Sequence, residues 1–409
     1  MKGPFQVCLA GWGIVSTAGG VAAHDLSSLK AELESLQLRV SQLEAQSQSF
    51  APAGYDLLSI RSGQPSFEEF RPEKGDDVIP ENSGLTLAVL PTADVAPTSE
   101  IAISAELRTA LLYSDFQQDD NADIAIRARV TVRGKTETAV GEVGGYFRIR
   151  ADGGGDISDY SEAAEMQRAF GWWKFAPNWQ LLAGVDDATA ILVTSWDYYG
   201  ATAPTRSFGP AESYNEQIRL TYKNDAWSFA LSLEDPDYDT NDPPRNDIPS
   251  VQGYGLYSGD VFTGQVVGLW QSDDEGGDEW AVGAGAGVSV MEGFQVVGAG
   301  VVGEGTSIYA NNLSPLSPED QFWLGSLGIL AKLTEETRIE LGVGIEDYDE
   351  AGEALGFGGG IYWSPVSLVT LGGGITYVDF NDAFVNDDPT DDDSLQVFFG
   401  VWLKGWQYK

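Results

Sequence analysis

From residue 100 to residue 404 apolar and polar positions alternate with a period of two, the repeat that sends successive side chains to opposite faces of a strand. Ile124, Ile126, Ala128, Val130 and Val132 share one face of such a run, while Ala125, Arg127, Arg129, Thr131 and Arg133 share the other. Ile101 to Ala110 alternates in the same way. The pattern predicts sixteen strands, beginning near residues 100, 123, 138, 165, 179, 214, 227, 251, 261, 280, 294, 321, 338, 355, 368 and 394.

An apolar face backed by arginines has two solutions. In a soluble sandwich the apolar face turns inward to a protein core; in a membrane barrel it turns outward to lipid and leaves the arginines in water. The connections favour the barrel. Short ones, such as Gly134-Lys135-Thr136, Lys223-Asn224-Asp225 and Met291-Glu292-Gly293, alternate with long acidic ones at 114–122, 151–162, 185–213, 235–250, 271–279, 303–319, 347–354 and 381–393. Short turns on one side and long loops on the other are the mark of a barrel with an even strand count. Trp179, Trp227 and Trp363 border short turns, and Trp270 and Trp280 flank a long loop, as interfacial aromatic belts require. The expected fold is therefore all-β: a closed antiparallel transmembrane barrel of sixteen strands over residues 100–409.

The first hundred residues follow another rule. Leu26, Leu29, Leu33, Leu36, Val40 and Leu43 repeat at spacings of three and four, which puts all six on one seam of a helix and predicts a short coiled coil over 24–47. So short a heptad array is marginal alone, so it associates where something else already holds the chains together. A single amphipathic helix docked on its own domain is the plainer alternative. Lys2, the apolar stretch from Phe5 to Ala18 and Val21-Ala22-Ala23 read as a secretory signal over 1–23. Residues 48–99, rich in Pro, Ser, Gly and acids, read as a linker with some extended structure.

Composition narrows the functions. Net charge is -39, with 62 acidic and 23 basic residues among 409, so nucleic acid is not an expected partner. The single cysteine, Cys8, and the single histidine, His24, precede the body, which leaves no thiol or imidazole for a zinc site or an activated serine. No enzyme and no metal centre is expected. Calcium between the acidic runs Asp273-Asp274-Glu275 and Asp391-Asp392-Asp393 is the one cofactor their chemistry suggests, against ordinary solvation of loops. The parity of the first six strands places Arg108, Arg127, Arg129, Arg133, Arg148, Arg150, Arg168, Lys174 and Arg219 on the polar face, a basic half-wall of a lumen. Some of these would pair with loop carboxylates merely to hold a loop.

The chain from about residue 85 onward resembles the porins of alphaproteobacteria, through Leu85 to Asp94 leading into Glu100 to Arg108, and through Gly171 to Asp187. The resemblance implies a sixteen-stranded barrel, usually trimeric, whose third long loop folds into the lumen and narrows it. Here the third long connection, 185–213, is the longest. Folded inward, it would bring Asp186, Asp187 and Asp197 towards the basic wall and create a transverse field that penalises apolar solutes. The implied function is passive diffusion of small hydrophilic solutes through a homotrimer in the outer membrane of a Gram-negative bacterium, among lipid and lipopolysaccharide, with the N-terminal segment periplasmic. A substrate-selective channel for anions and an exported structural β-protein of the envelope are the alternatives. The chain departs from the family's terminal aromatic residue by ending Trp406-Gln407-Tyr408-Lys409.

Overall fold

Each alternating run forms a ladder with the next. The computed structural model describes residues 56–63, 70, 83–91, 97–116, 119–153, 164–196, 214–235, 248–272, 278–305, 321–349, 352–381, 384–385, 388–389 and 393–405. The signal, the heptad seam from Leu26 to Leu43, Asp197 and the run Asp273-Asp274-Glu275 lie outside these residues, as do Asp391 and Asp392. The chain divides into two units, Met1–Leu57 with Leu90–Ala96 and Leu58–Val89 with Pro97–Lys409; the barrel lies in the second.

The strands are β1 (Leu57–Ser62), β2 (Leu85–Leu90), β3 (Ser99–Phe116), β4 (Asp119–Thr138), β5 (Gly141–Gly153), β6 (Glu165–Ala176), β7 (Trp179–Asp187), β8 (Tyr214–Lys223), β9 (Trp227–Asp235), β10 (Ser250–Ser258), β11 (Phe262–Ser272), β12 (Asp278–Met291), β13 (Phe294–Glu304), β14 (Gln321–Lys332), β15 (Thr337–Tyr348), β16 (Gly352–Val366), β17 (Val369–Asn381), β18 (Phe384–Val385), β19 (Asp388–Pro389) and β20 (Ser394–Leu403). From β3 to β17 each pairs antiparallel with its successor, and β20 pairs with β17 on one edge and β3 on the other. The ring of sixteen strands is thereby closed, and no barrel edge remains to template aggregation.

Strand β2 uses the same edge of β3 as β20 but lower, pairing Leu85 to Val89 with Ile103 to Ser99, while β20 pairs with Leu107 to Asp115. β1 adds to β2. Thr86 Oγ1 donates to Gly63 O at 2.6 Å, Ser83 Oγ donates to Lys404 O at 2.6 Å, and Arg61 lies 3.6 Å from Glu100. Two apolar pieces of the expected linker are thus built onto the short-turn end of the barrel.

Two connections expected to be long are tight, because the ladders run on to Phe116↔Asp119 and Tyr348↔Gly352. The reason is environmental: beyond the apolar band both faces of a strand meet water, so acids on either face no longer exclude a strand.

Polarity is inverted relative to a soluble protein. Leu231, Ile218 and Phe399 are 62%, 58% and 61% exposed on the outside, whereas Gln217, Arg219 and Ser232, one position from Ile218 or Leu231, are buried on the inside. Lipid is the solvent that makes the outer face stable. Aromatic rings border it: at the short-turn end Trp227 stacks on Phe229 at 5.8 Å and meets Tyr257 at 5.0 Å, and Trp179 meets Tyr222 at 5.1 Å. At the long-loop end Trp270 stands opposite Trp280 in the ladder, and Trp323 Nε1 donates to Asp347 Oδ2 at 2.6 Å.

Candidate functional site

The inner face of β3 to β8 carries a stack of cations. Register puts Arg108 opposite Arg127, Arg129 opposite Arg150, Thr131 opposite Arg148, Arg133 opposite Tyr146, and Arg148 opposite Arg168. Like charges directly opposite one another are destabilising. Carboxylates set among them reduce that cost. Glu106 lies 3.4 Å from Arg108 and 3.3 Å from Arg129, and also accepts Trp402 Nε1 at 3.0 Å. Asp152 accepts Arg127 Nε at 2.8 Å and also accepts Arg150. Arg108 stacks 3.9 Å above the Trp402 ring, and Arg148 Nε donates to Thr131 Oγ1 at 3.2 Å. Such stacking and multiply directed donor roles suit arginine better than lysine.

Lys174, lower on the same wall, lies 4.3 Å from the ring centre of Phe70, which is buried and donates its backbone N–H to Gln180 Oε1 at 3.3 Å. Lys404 follows β20 at the short-turn end. Burial, seconded by the Arg338 and Arg108 charges and opposed by Glu106, pushes its ammonium down to about 8.

Asp186 and Asp187, expected in the third connection, are the last two residues of β7. Arg219 Nη2 donates to Asp186 Oδ2 at 2.7 Å, Arg168 Nε lies 3.9 Å from Asp186 Oδ1, and Arg168 Nη2 donates to Asp187. All four residues are buried. They form a clamp at the root of the connection instead of a free carboxylate face across the lumen; the low dielectric there makes each charge depend on the others.

Beyond the clamp, residues 188–196 form a strap that crosses the inner wall. Thr189 N–H donates to Glu234 Oε1 of β9 at 2.9 Å, and Ala190 N–H to Gln252 Oε1 of β10 at 3.1 Å. Gln265 of β11 binds the strap twice: Val193 N–H donates to its Oε1 at 2.8 Å, and its Nε2 donates to Ile191 O at 2.8 Å. Trp196 N–H donates to Ser326 Oγ of β14 at 3.1 Å. A segment without strand or helix of its own needs partners for its backbone, and the inner face supplies them from the Glu234 carboxylate, the Gln252 and Gln265 amides and the Ser326 hydroxyl. Gln217, in turn, donates to the carbonyls of Asp186 and Asp187 at 3.1 and 2.8 Å.

The wall beneath the strap is apolar and thin. Ala190 and Leu192 pack with Tyr254, Val267, Leu269, Ala281, Val301 and Leu324 of β10 to β14. Gly283 of β12 makes room for Leu192, whose Cδ1 would lie 2.9 Å from a Cβ there, and Gly285 makes room for Thr194. This floor is absent from the expected site. Its signal was present in the alternate glycines of β12, which mark close approach of another segment.

At the short-turn end a cavity of about 750 Å³ opens beside inner-face Gln295, Leu330 and Arg338 and the turn residues Glu292 and Glu335.

Comparison with known proteins gives this interior a context. The model of the Porin subfamily matches residues 101–396. No curated protein matches the chain. Among solved structures, the outer membrane channel DcaP of Acinetobacter baumannii superposes with a TM-score of 0.59 at 15% identity, covering 75% of this chain and 97% of its own. The anion-selective porin from Comamonas acidovorans gives 0.58 at 12%, covering 75% and 99%. A triple mutant of Rhodopseudomonas blastica porin gives 0.52 at 19%, covering 74% and 99%. At such identities these three likenesses speak for the fold. The family match spans most of the barrel that carries the cation wall and the strap, and the chain belongs to the porin subfamily.

Proposed function

We propose that this porin is a general diffusion channel, narrowed where the strap of 188–196 stands across the lumen from the basic wall of β3 to β8. Its family and barrel make it an outer-membrane channel for passive diffusion. The observation that carries the narrowing is the run of hydrogen bonds from Thr189 to Trp196, which tie the start of the third connection to inner side chains from β9 to β14. A polar lumen with fixed charges favours hydrated, dipolar solutes, because an apolar one displaces ordered water without replacing its hydrogen bonds.

In this reading the short turns are periplasmic, three copies form the working unit, and the heptad seam joins them beneath the membrane. The outer surface supports a lateral partner. At the short-turn end the aromatic belt covers β6 to β11, from Trp173 to Phe262, whereas β17, β20, β3, β4 and β5 present Leu371, Leu403, Ile101, Thr136 and Val143 there. Rings favour the lipid headgroup level, so their lack among the described residues of this arc suits contact with another copy. Lipid and lipopolysaccharide would cover the rest.

The nine cations from Arg108 to Arg219 on one wall favour a second reading, a channel selective for anions. Planar-bilayer recording on the purified protein tests both. Ohmic conductance that does not saturate with solute supports general diffusion; saturation at low solute concentration with strong anion preference supports the second reading, and no conductance at all removes both.

A further inference from the structure

We infer that Trp196 is the latch that fixes the strap, and with it the width of the lumen, by seating its indole in a socket left by Gly328 and Gly342. The inference rests on the diffusion reading above, which makes the strap the narrow point. Gly328 of β14 and Gly342 of β15 are direct partners in the ladder, and both lie on the inner face. Two glycines opposite one another remove two side chains from one spot of the wall. The indole fills that spot: a Cβ built at either glycine would overlap its ring. Trp196 is 2% exposed there, clustered with Val297 and with Leu330 packed alongside, and its own N–H is held by Ser326 Oγ at 3.1 Å.

The rest of the strap seats smaller side chains, Leu192 over Gly283 and Thr194 over Gly285, and no other ring. Between Ala188 and Val193 the residues are small or aliphatic, and their backbone is held by glutamine and glutamate side chains. Those bonds set a path but allow sliding, since a flexible amide can follow a shifted carbonyl. A bulky ring in a rigid backbone socket does not slide, because interiors are bistable and do not deform continuously. Trp196 also stands furthest along the described strap from the Asp186 clamp. Clamp and latch are thus the two ends of a tether whose middle runs along the wall. The geometry assigns Trp196 a positioning role, distinct from that of the charged groups that meet solute.

The test uses the full-length protein in planar bilayers, with wild type, Trp196→Ala, Gly342→Ala and the double variant compared by single-channel conductance and by the size of neutral polymer that enters. Trp196→Ala removes bulk and introduces no clash. The expected result is a conductance change of roughly twofold, a shifted polymer cut-off and added flicker. Gly342→Ala should produce a change of its own in the wild-type background and none in the Trp196→Ala background, where the added Cβ meets no ring. Wild-type conductance and cut-off in a folded Trp196→Ala protein would overturn the latch, as would a Gly342→Ala effect that persists in the double variant. If Gly342→Ala does not fold, Trp196→Ala alone decides. A non-conducting wild type would sink the diffusion reading; limited proteolysis between β7 and β8 would then judge the latch, faster cleavage in Trp196→Ala supporting it and an unchanged rate overturning it.

Discussion

Arg219 of β8 donates to Asp186 of β7 at 2.7 Å, with both side chains buried, at the point where the strand ends and the strap turns inward. The pair joins wall to strap, and Arg168 and Asp187 complete it.

Replacing Asp186 by Asn should therefore act on stability first. It leaves two buried guanidiniums with one carboxylate fewer, and breaking such a buried arrangement typically costs roughly 3–5 kcal/mol. Denaturant titration of the folded barrel, read by its heat-modifiable migration, checks this. A midpoint equal to that of wild type would mean the clamp contributes nothing.

Selectivity should follow the arginines of β4. Replacing Arg127, Arg129 and Arg133 together by Gln removes three cations while Glu106 and Asp152 stay. Reversal potential in a salt gradient should move towards cation preference, by roughly threefold in permeability ratio. An unmoved potential would show that ions do not pass along this wall.

The inside and outside of β11 should differ in what they tolerate. Val266 is 58% exposed on the lipid face, and Thr263 lies on the inner face of the same strand. Val266→Arg should destabilise the barrel by about 2–4 kcal/mol, as a charge near the bilayer midplane does, and Thr263→Arg by much less. Equal losses in refolding equilibria would contradict the assigned faces.

Lys404 should make the channel sensitive to alkali. Its ammonium is pushed down to about 8, from an ordinary value of 10.5, chiefly by burial. The charge is present at pH 7 and lost in the folded state near pH 9, where the unfolded chain still holds its proton. Stability should accordingly rise with pH from about 8 to the ordinary value of 10.5. Anion preference should fall as the folded-state charge is lost around pH 8, and Lys404→Arg, which stays charged, should remove that dependence. Reversal potentials at pH 7 and pH 9 give the comparison.

The barrel was legible in the sequence because lipid imposes a one-residue rule. Each strand must show an apolar group outward at every second position, and runs such as Ile124 to Arg133 record that directly. Strand starts at 165, 179, 214, 227, 294, 321 and 394 coincide with those observed. The two tight hairpins at Phe116↔Asp119 and Tyr348↔Gly352 escaped because no lipid disciplines the strand tips.

Within the lumen the sequence by itself determined parity, and so which face Arg127, Arg129 and Arg219 occupy. Only the tertiary structure decided their company. That Asp186 would clamp Arg219 at the root of the strap, that Gln252 and Gln265 would hold its backbone, and that Gly328 and Gly342 would make a socket for Trp196 all depend on contacts between residues up to 146 positions apart. Alternation is a local consequence of the solvent on each side of a strand. Pairing across a lumen depends on how the closed ring sets one wall against another, and no local period encodes that.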